Sequence, residues 1–188
     1  MPTHQIHPLT GETYFVTFTC HKWLPLFDQT KCYDHFYKWF EYLKRHDAHI
    51  LAYVIMPNHF HGLIHLEGHC SKSINLIISN AKRFLAYEIV KRLEDDNQLD
   101  ILKILKDDVP EKERLKGKKH QVFRPSFDAK LCNNIEVLET KLDYIHANPV
   151  SGKWTLVEDL TEFPSSSAGF YDQQKENKWL THYKEIWE

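Results

Sequence analysis

From Tyr53 to Leu66 the chain reads Tyr-Val-Ile-Met-Pro-Asn-His-Phe-His-Gly-Leu-Ile-His-Leu, two apolar runs on either side of a Pro57-Asn58 corner. Proline and asparagine are turn residues, and the flanking runs are short and apolar, so the stretch predicts two strands over 49–56 and 59–66. Alternate side chains of a strand share a face, so His59 and His61 project together. Two imidazoles on one face can grip one cation, given a third ligand. The chain holds 13 histidines, so a pair at this spacing also arises by chance as a structural or surface pair. His65 continues the period, and a three-histidine zinc site on one strand is the alternative. No His-Glu-x-x-His is present to supply a base for zinc hydrolysis.

A second pattern lies far away in Leu142-Asp143-Tyr144-Ile145-His146-Ala147-Asn148-Pro149-Val150. Ile135, Leu138, Leu142 and Ile145 recur at spacings of three and four, which predicts a helix over 134–147. Pro149 disfavours αR at Asn148, so the helix is expected to stop there. Tyr144 and Asn148 are four apart and share a face. If this helix end docks beside His59 and His61, two imidazoles, an amide oxygen and a phenol meet. Otherwise Tyr144 is a core tyrosine. His146 falls on another side of the helix and is left out.

These blocks carry a resemblance. With Tyr14-Phe15-Val16-Thr17-Phe18 before them and Phe163-Pro164-Ser165-Ser166-Ser167 after them, the chain resembles the Y1 single-strand DNA transposases of the IS200/IS605 type. It looks closest to the branch associated with repetitive extragenic palindromes. The resemblance implies that His59 and His61 form the family's metal-binding HUH motif, that Asn148 is the third ligand, and that Tyr144 is the nucleophile. It implies a divalent cofactor, Mg²⁺ or Mn²⁺, and a partner of single-stranded DNA with hairpins. A phenol serves as a positioned nucleophile, and a divalent ion polarises the scissile phosphate. The other function in view is a domesticated relative that holds structured DNA or RNA without cutting it. The long tail favours a monomer over the family's homodimer.

The rest of the chain fits one domain of 188 residues. Thr13 to His21 alternates with apolar groups on both faces and predicts a central strand. Phe36, Trp39, Phe40 and Leu43 predict a helix over 31–45, and Ile74, Ile77, Ile78, Ala81, Phe84, Leu85 and Ile89 a long one over 71–93. The order strand, helix, strand, strand, helix predicts an α+β fold of ferredoxin-like type, an antiparallel sheet with helices on one face. Residues 94–120 are dense in charge and look like an insertion, mostly solvated loop with a short helix over 99–105. Lys82 and Arg83 beside the long helix's stripe, and the run Lys116, Lys118 and Lys119, are candidate phosphate contacts. The formal charge of -2 excludes a protein basic throughout but not a local basic face. Residues 121–133 predict a loop and a last strand, with Asp128 a candidate carboxylate and Cys132 a possible neighbour of the site. The tail over 151–188 is expected to pack on the body, through Trp154 among others, and to close with a helix bearing Trp179, Tyr183 and Trp187. No run approaches the ~20 apolar residues of a membrane span, no signal peptide is visible, and four scattered cysteines fit the cytoplasm, with the nucleoid the expected location when DNA is bound.

Overall fold

The computed structural model describes residues 11–152 and 155–187. Residues 1–12, a polar stretch with Pro2, Pro8 and Gly11 that reads as an arm or loop, therefore lie outside the described residues except for Gly11 and Glu12, and Trp154 lies outside them altogether. Period-two alternation gives β1 (Glu12–Thr19), β2 (Ala48–Ile55) and β3 (His59–Leu66), and a later edge strand β4 (Asp128–Cys132) completes the sheet. Helices α1 (Leu26–Thr30) and α2 (Tyr33–Lys44) lie between β1 and β2. Lys31, at φ 49°, ends α1, and the helix expected over 31–45 is α2, unbroken from Tyr33 to Lys44. Helix α3 (Ile74–Asp95) follows β3, its first turn capped by the Ser73 hydroxyl, which accepts from the Leu76 amide. Then come α4 (Leu99–Asp107), α5 (Glu111–Arg114), β4, α6 (Ile135–Ala147), α7 (Ala168–Asp172) and α8 (Lys184–Trp187).

Among the described residues the sheet has four strands in the order β2-β3-β1-β4, every pair antiparallel. This is the ferredoxin-like arrangement, with β1 and β3 central as their two-sided apolar content requires. One expectation changes: the helices lie on both faces. Residues of α2 and α3 pack with Tyr14, Val16, Phe18, Phe60 and Ile64 in one core. On the other face Phe15, Leu51, Val54 and Leu63 pack with Leu138, Leu142 and Ile145 of α6. The alternation of β1 and β3 carries apolar residues to each side, so each side needs a cover. A bulge between Ile50 and Ala52 re-phases β2 so that Leu51 and Ala52 both serve the α6 side.

The 94–120 segment is more ordered than its charge density implies. Leu105 of α4 is fully buried in the α2–α3 core, and Asp108 accepts from His21 Nε2 at 2.8 Å and pairs with Lys22 Nζ at 2.5 Å. Phe84, expected in the α3 stripe, is 61% exposed instead, because α3 buries the narrower set Ile74, Ile77, Ile78, Ala81, Leu85, Ile89 and Leu93.

The tail covers the outer edge of β2. Ile55 donates to Ser165 O at 2.8 Å, Ser167 donates to Tyr53 O at 2.9 Å, and Thr181 donates to Ile50 O at 3.0 Å. Those bonds satisfy strand groups that would otherwise template pairing with another chain. Its closing helix is shorter than expected. Trp179 sits before α8 and stacks on Tyr37, with ring centroids 4.3 Å apart. No helix among the described residues is long and apolar enough to cross a membrane.

Candidate active site

The corner between β2 and β3 fixes the histidines. Met56 N donates to His59 O at 2.9 Å, closing the turn over Pro57 and Asn58. His59 and His61 then face the α6 side, 6% and 5% exposed, with ring centroids 4.8 Å apart. Antiparallel register sets Thr19 opposite His59 and Thr17 opposite His61. Thr17 Oγ1 lies 2.6 Å from His61 Nδ1, and Phe15 stacks on the His61 ring at 5.6 Å. A ring whose Nδ1 is held by a hydroxyl keeps Nε2 for a ligand bond, as metal-binding histidines commonly do.

Helix α6 brings the other two groups. Asn134 caps its start by accepting from Val137 N at 2.8 Å, and Leu138, Leu142 and Ile145 seat it on the sheet. Its far end differs from the sequence expectation. Asn148 keeps αR geometry (φ -57°, ψ -44°) despite Pro149, and the chain runs on into a 3₁₀ turn over Asn148–Val150. Tyr144 and Asn148 still share the predicted face. Asn148 Oδ1 lies 3.1 Å from His59 Nε2, and the Tyr144 ring lies edge-on 5.2 Å from His61. Tyr144 is 51% exposed, so its hydroxyl can meet a polymer substrate.

The contacts of His59 bear on what the site can hold. Asn58 Nδ2 donates to Trp23 O at 3.0 Å, which turns Asn58 Oδ1 toward His59 Nδ1 at 2.6 Å. Burial holds His59 below its ordinary pKa, against a smaller opposing effect of Asn148, so the ring is neutral and has one N–H. In the tautomer whose Nδ1 proton goes to Asn58 Oδ1, Nε2 and Asn148 Oδ1 face each other as two electron-rich atoms, an arrangement that a shared cation would satisfy. His61 is pulled down to about 3 by burial first, then by His59 and Lys141, which likewise keeps it a ligand rather than a cation. The donor set is two imidazoles and one amide oxygen. No three His, Cys, Asp or Glu side chains converge among the described residues. Nitrogen and neutral oxygen donors suit Mn²⁺ and its neighbours better than Mg²⁺.

Other candidates fall elsewhere. His65 shares the face but lies about 13 Å along the strand from His61, beyond Leu63, with Thr13 Oγ1 3.0 Å from its Nδ1. That distance removes the three-histidine zinc site. His146 is buried against Ser167 Oγ at 2.9 Å. Cys132 is buried with Phe15 and Leu142. Asp128 is exposed on β4 opposite Thr17, in the same cross-strand row as His61. Lys82, Arg83, Lys116, Lys118 and Lys119 all line one groove of about 1440 Å³ between α3 and the chain from 116 to 130. Lys82 Nζ donates to the carbonyls of Arg124, Pro125 and Ser126 at 2.8, 3.4 and 3.3 Å, so it also shapes the groove wall. Burial, helped by Lys118, lowers its pKa to about 8.

Sequence reasoning missed Thr17, Asn58, Lys141 and Trp23 as site neighbours. Lys141 was findable, being three residues before Tyr144 on the same helix face. Thr17 needed the strand register, and Trp23 needed the fold.

With this geometry in hand, comparison with known proteins is informative. No protein-family model matches the chain, and no curated protein matches it. Among solved structures, that of a REP-associated tyrosine transposase bound to a REP hairpin superposes with a TM-score of 0.59 over 96% of this chain and 94% of that one, at 20% identity. The chain has the REP-associated tyrosine transposase fold. That fold agrees with the family resemblance carried by the sequence blocks, and it extends across the charged 94–120 segment and the tail as well as the sheet.

Proposed function

We propose that the protein is a metal-dependent tyrosine transposase and nuclease that cuts and rejoins hairpin-bearing single-stranded DNA. One observation carries the reading: two blocks from opposite parts of the chain converge so that Asn148 Oδ1 stands 3.1 Å from His59 Nε2 while Tyr144 flanks His61. Mere binding does not require that set. The solved neighbour, bound to a REP hairpin, supports hairpin DNA as the partner.

In this reading His59, His61 and Asn148 hold the ion, which would supply Lewis-acid polarisation of the scissile phosphate. Tyr144 Oη attacks phosphorus in line with the 3′ oxygen. The phosphorus–Oη bond forms, the phosphorus–O3′ bond breaks, the phenol proton goes to solvent, and the 3′ oxygen takes a proton to leave as a hydroxyl. The 5′-phosphotyrosine conserves the phosphoester bond, so a later 3′ hydroxyl can reverse the step and rejoin strands. Phe15, stacked on His61 and edge-on to Tyr144 at 5.8 Å, orients both rings. Lys141 Nζ, 5.0 Å from the Phe15 ring centroid, contributes positive charge beside the reacting phosphate. Arg83, Lys116, Lys118 and Lys119 offer phosphate contacts along the groove, and Lys82 holds its wall. In this reading the enzyme is a monomer, which the tail's cover of the β2 edge supports, acting in the cytoplasm with the nucleoid.

The test pairs binding with chemistry. Calorimetry should detect Mn²⁺ binding to the parent chain and not to His61→Ala, and the parent with Mn²⁺ should cut a single-stranded hairpin oligonucleotide but not the matching duplex. Tight hairpin binding with no cutting in any divalent metal would favour the domesticated binder instead.

A further inference from the structure

Trp23 is a large aromatic residue, 54% exposed, where a buried position would be ordinary. Its backbone is left-handed at φ 59°, and Lys22 before it is left-handed at φ 51°. Two consecutive non-glycine residues in this region are costly, and a bulky one is an outlier. The turn is held from several sides. Trp23 N donates to Cys20 O at 3.2 Å, Asn58 Nδ2 donates to Trp23 O, and Asp108 at the end of α4 ties down His21 and Lys22. The fold thus stabilises a strained backbone whose effect is to present an indole to solvent.

Its surroundings identify what the indole meets. The ring lies 6.1 Å from His59, and the Arg124 guanidinium lies 5.9 Å from the ring centroid. Arg124 also lines the basic groove, so the groove, Arg124, Trp23 and the histidine pair form one continuous path. Tyr144 flanks His61 and Trp23 flanks His59, at opposite ends of the pair. In-line displacement sets the leaving oxygen opposite the attacking one. With Tyr144 on one side of the phosphate, the leaving 3′ oxygen and its nucleotide fall on the Trp23 side.

We infer that Trp23 is the stacking platform for the unpaired base immediately 5′ of the scissile phosphate, with Arg124 bridging that nucleotide to the groove. The inference rests on Tyr144 as the nucleophile. A base stacked on an aromatic face binds without regard to its identity, and the stack fixes the sugar that carries the leaving oxygen. Trp23 therefore acts as a positioning residue.

The experiment walks 2-aminopurine, one position at a time, along the single-stranded flank of a hairpin oligonucleotide. Fluorescence is read on binding to the Tyr144→Phe chain with Mn²⁺, and the parent chain maps the cut on the same oligonucleotide. One position should be quenched, the one directly 5′ of the cut. Trp23→Ala in the same background should abolish that quenching and weaken binding about ten-fold, while Trp23→Phe retains part of both. Because the side chain is exposed, both variants should keep the parent's cooperative thermal transition. Quenching that survives Trp23→Ala, or that falls 3′ of the cut, would overturn the inference. Trp23-dependent quenching with no cut by the parent would sink the cleavage reading and overturn the inference with it, leaving Trp23 as a base-binding surface alone. Quenching nowhere on an oligonucleotide that the parent cuts would sink the platform and leave cleavage standing.

Discussion

The two faces of β3 are built from neighbouring residues and do opposite things. On one face Phe60 is fully buried, stacked with Phe18 at 5.1 Å and with Phe36 at 5.5 Å, in a dry cluster under α2 and α3. On the other, His59 and His61 are nearly as buried but are held by Asn58 and Thr17 and face a half-exposed tyrosine. Both faces are well packed, so burial does not separate them. Polar partners do: one face holds its strand by apolar contact and aromatic geometry, while the other fixes the orientation of two imidazoles through polar neighbours at their Nδ1 atoms. A strand's period of two lets one eight-residue element anchor a fold and present a site.

Substitutions on the two faces should therefore fail differently. The largest effect is expected from Phe60→Ala, which empties the centre of the aromatic cluster and should cost about 3–5 kcal/mol by chemical denaturation, with site function lost only because the fold is lost. Gly62→Ala comes next. A Cβ there would lie 2.6 Å from Phe60 Cζ and 3.3 Å from Ala52 O, so the ring must shift, at about 1–3 kcal/mol. Thr17→Val keeps shape but leaves the His61 Nδ1 without its partner. It should cost about 1–3 kcal/mol and lower Mn²⁺ affinity about 10–100-fold by calorimetry, with metal binding weakened in a chain that stays folded. If Thr17→Val instead left metal affinity unchanged, the contrast between the faces would lose its chemical content. The smallest effect compares Trp23→Gly with Trp23→Ala. Glycine tolerates φ 59° and alanine does not, so the glycine variant should be the more stable by about 1 kcal/mol.

Much of this was legible beforehand because it depends on period and local chemistry. The strand from His59 to Leu66 follows from alternation, and the shared face of Tyr144 and Asn148 follows from helical spacing, which held even though Pro149 failed to halt the αR backbone at Asn148. What escaped notice depended on distant pairing. Thr17 meets His61 only through strand register. The second helical layer, α6, could not be assigned to a face without knowing where β4 pairs. Leu105 sits in a charge-rich segment whose composition argues for solvent, yet it packs in the core because α4 has one apolar side. Trp23 opens the apolar run Trp23-Leu24-Pro25-Leu26-Phe27, and its exposure arises from a left-handed backbone that no sequence pattern announces.

The central claim is that Tyr144 attacks DNA. The direct measurement is peptide mass spectrometry after incubating the parent chain with a single-stranded hairpin oligonucleotide and Mn²⁺, then denaturing and digesting both polymers. The account predicts a nucleotide joined through its 5′ phosphate to the peptide that holds Tyr144, a free 3′ hydroxyl on the released strand, and neither product from Tyr144→Phe despite unchanged hairpin binding. Cleavage that proceeds with no covalent adduct, or that persists in Tyr144→Phe, would mean that water is the nucleophile and would contradict the account.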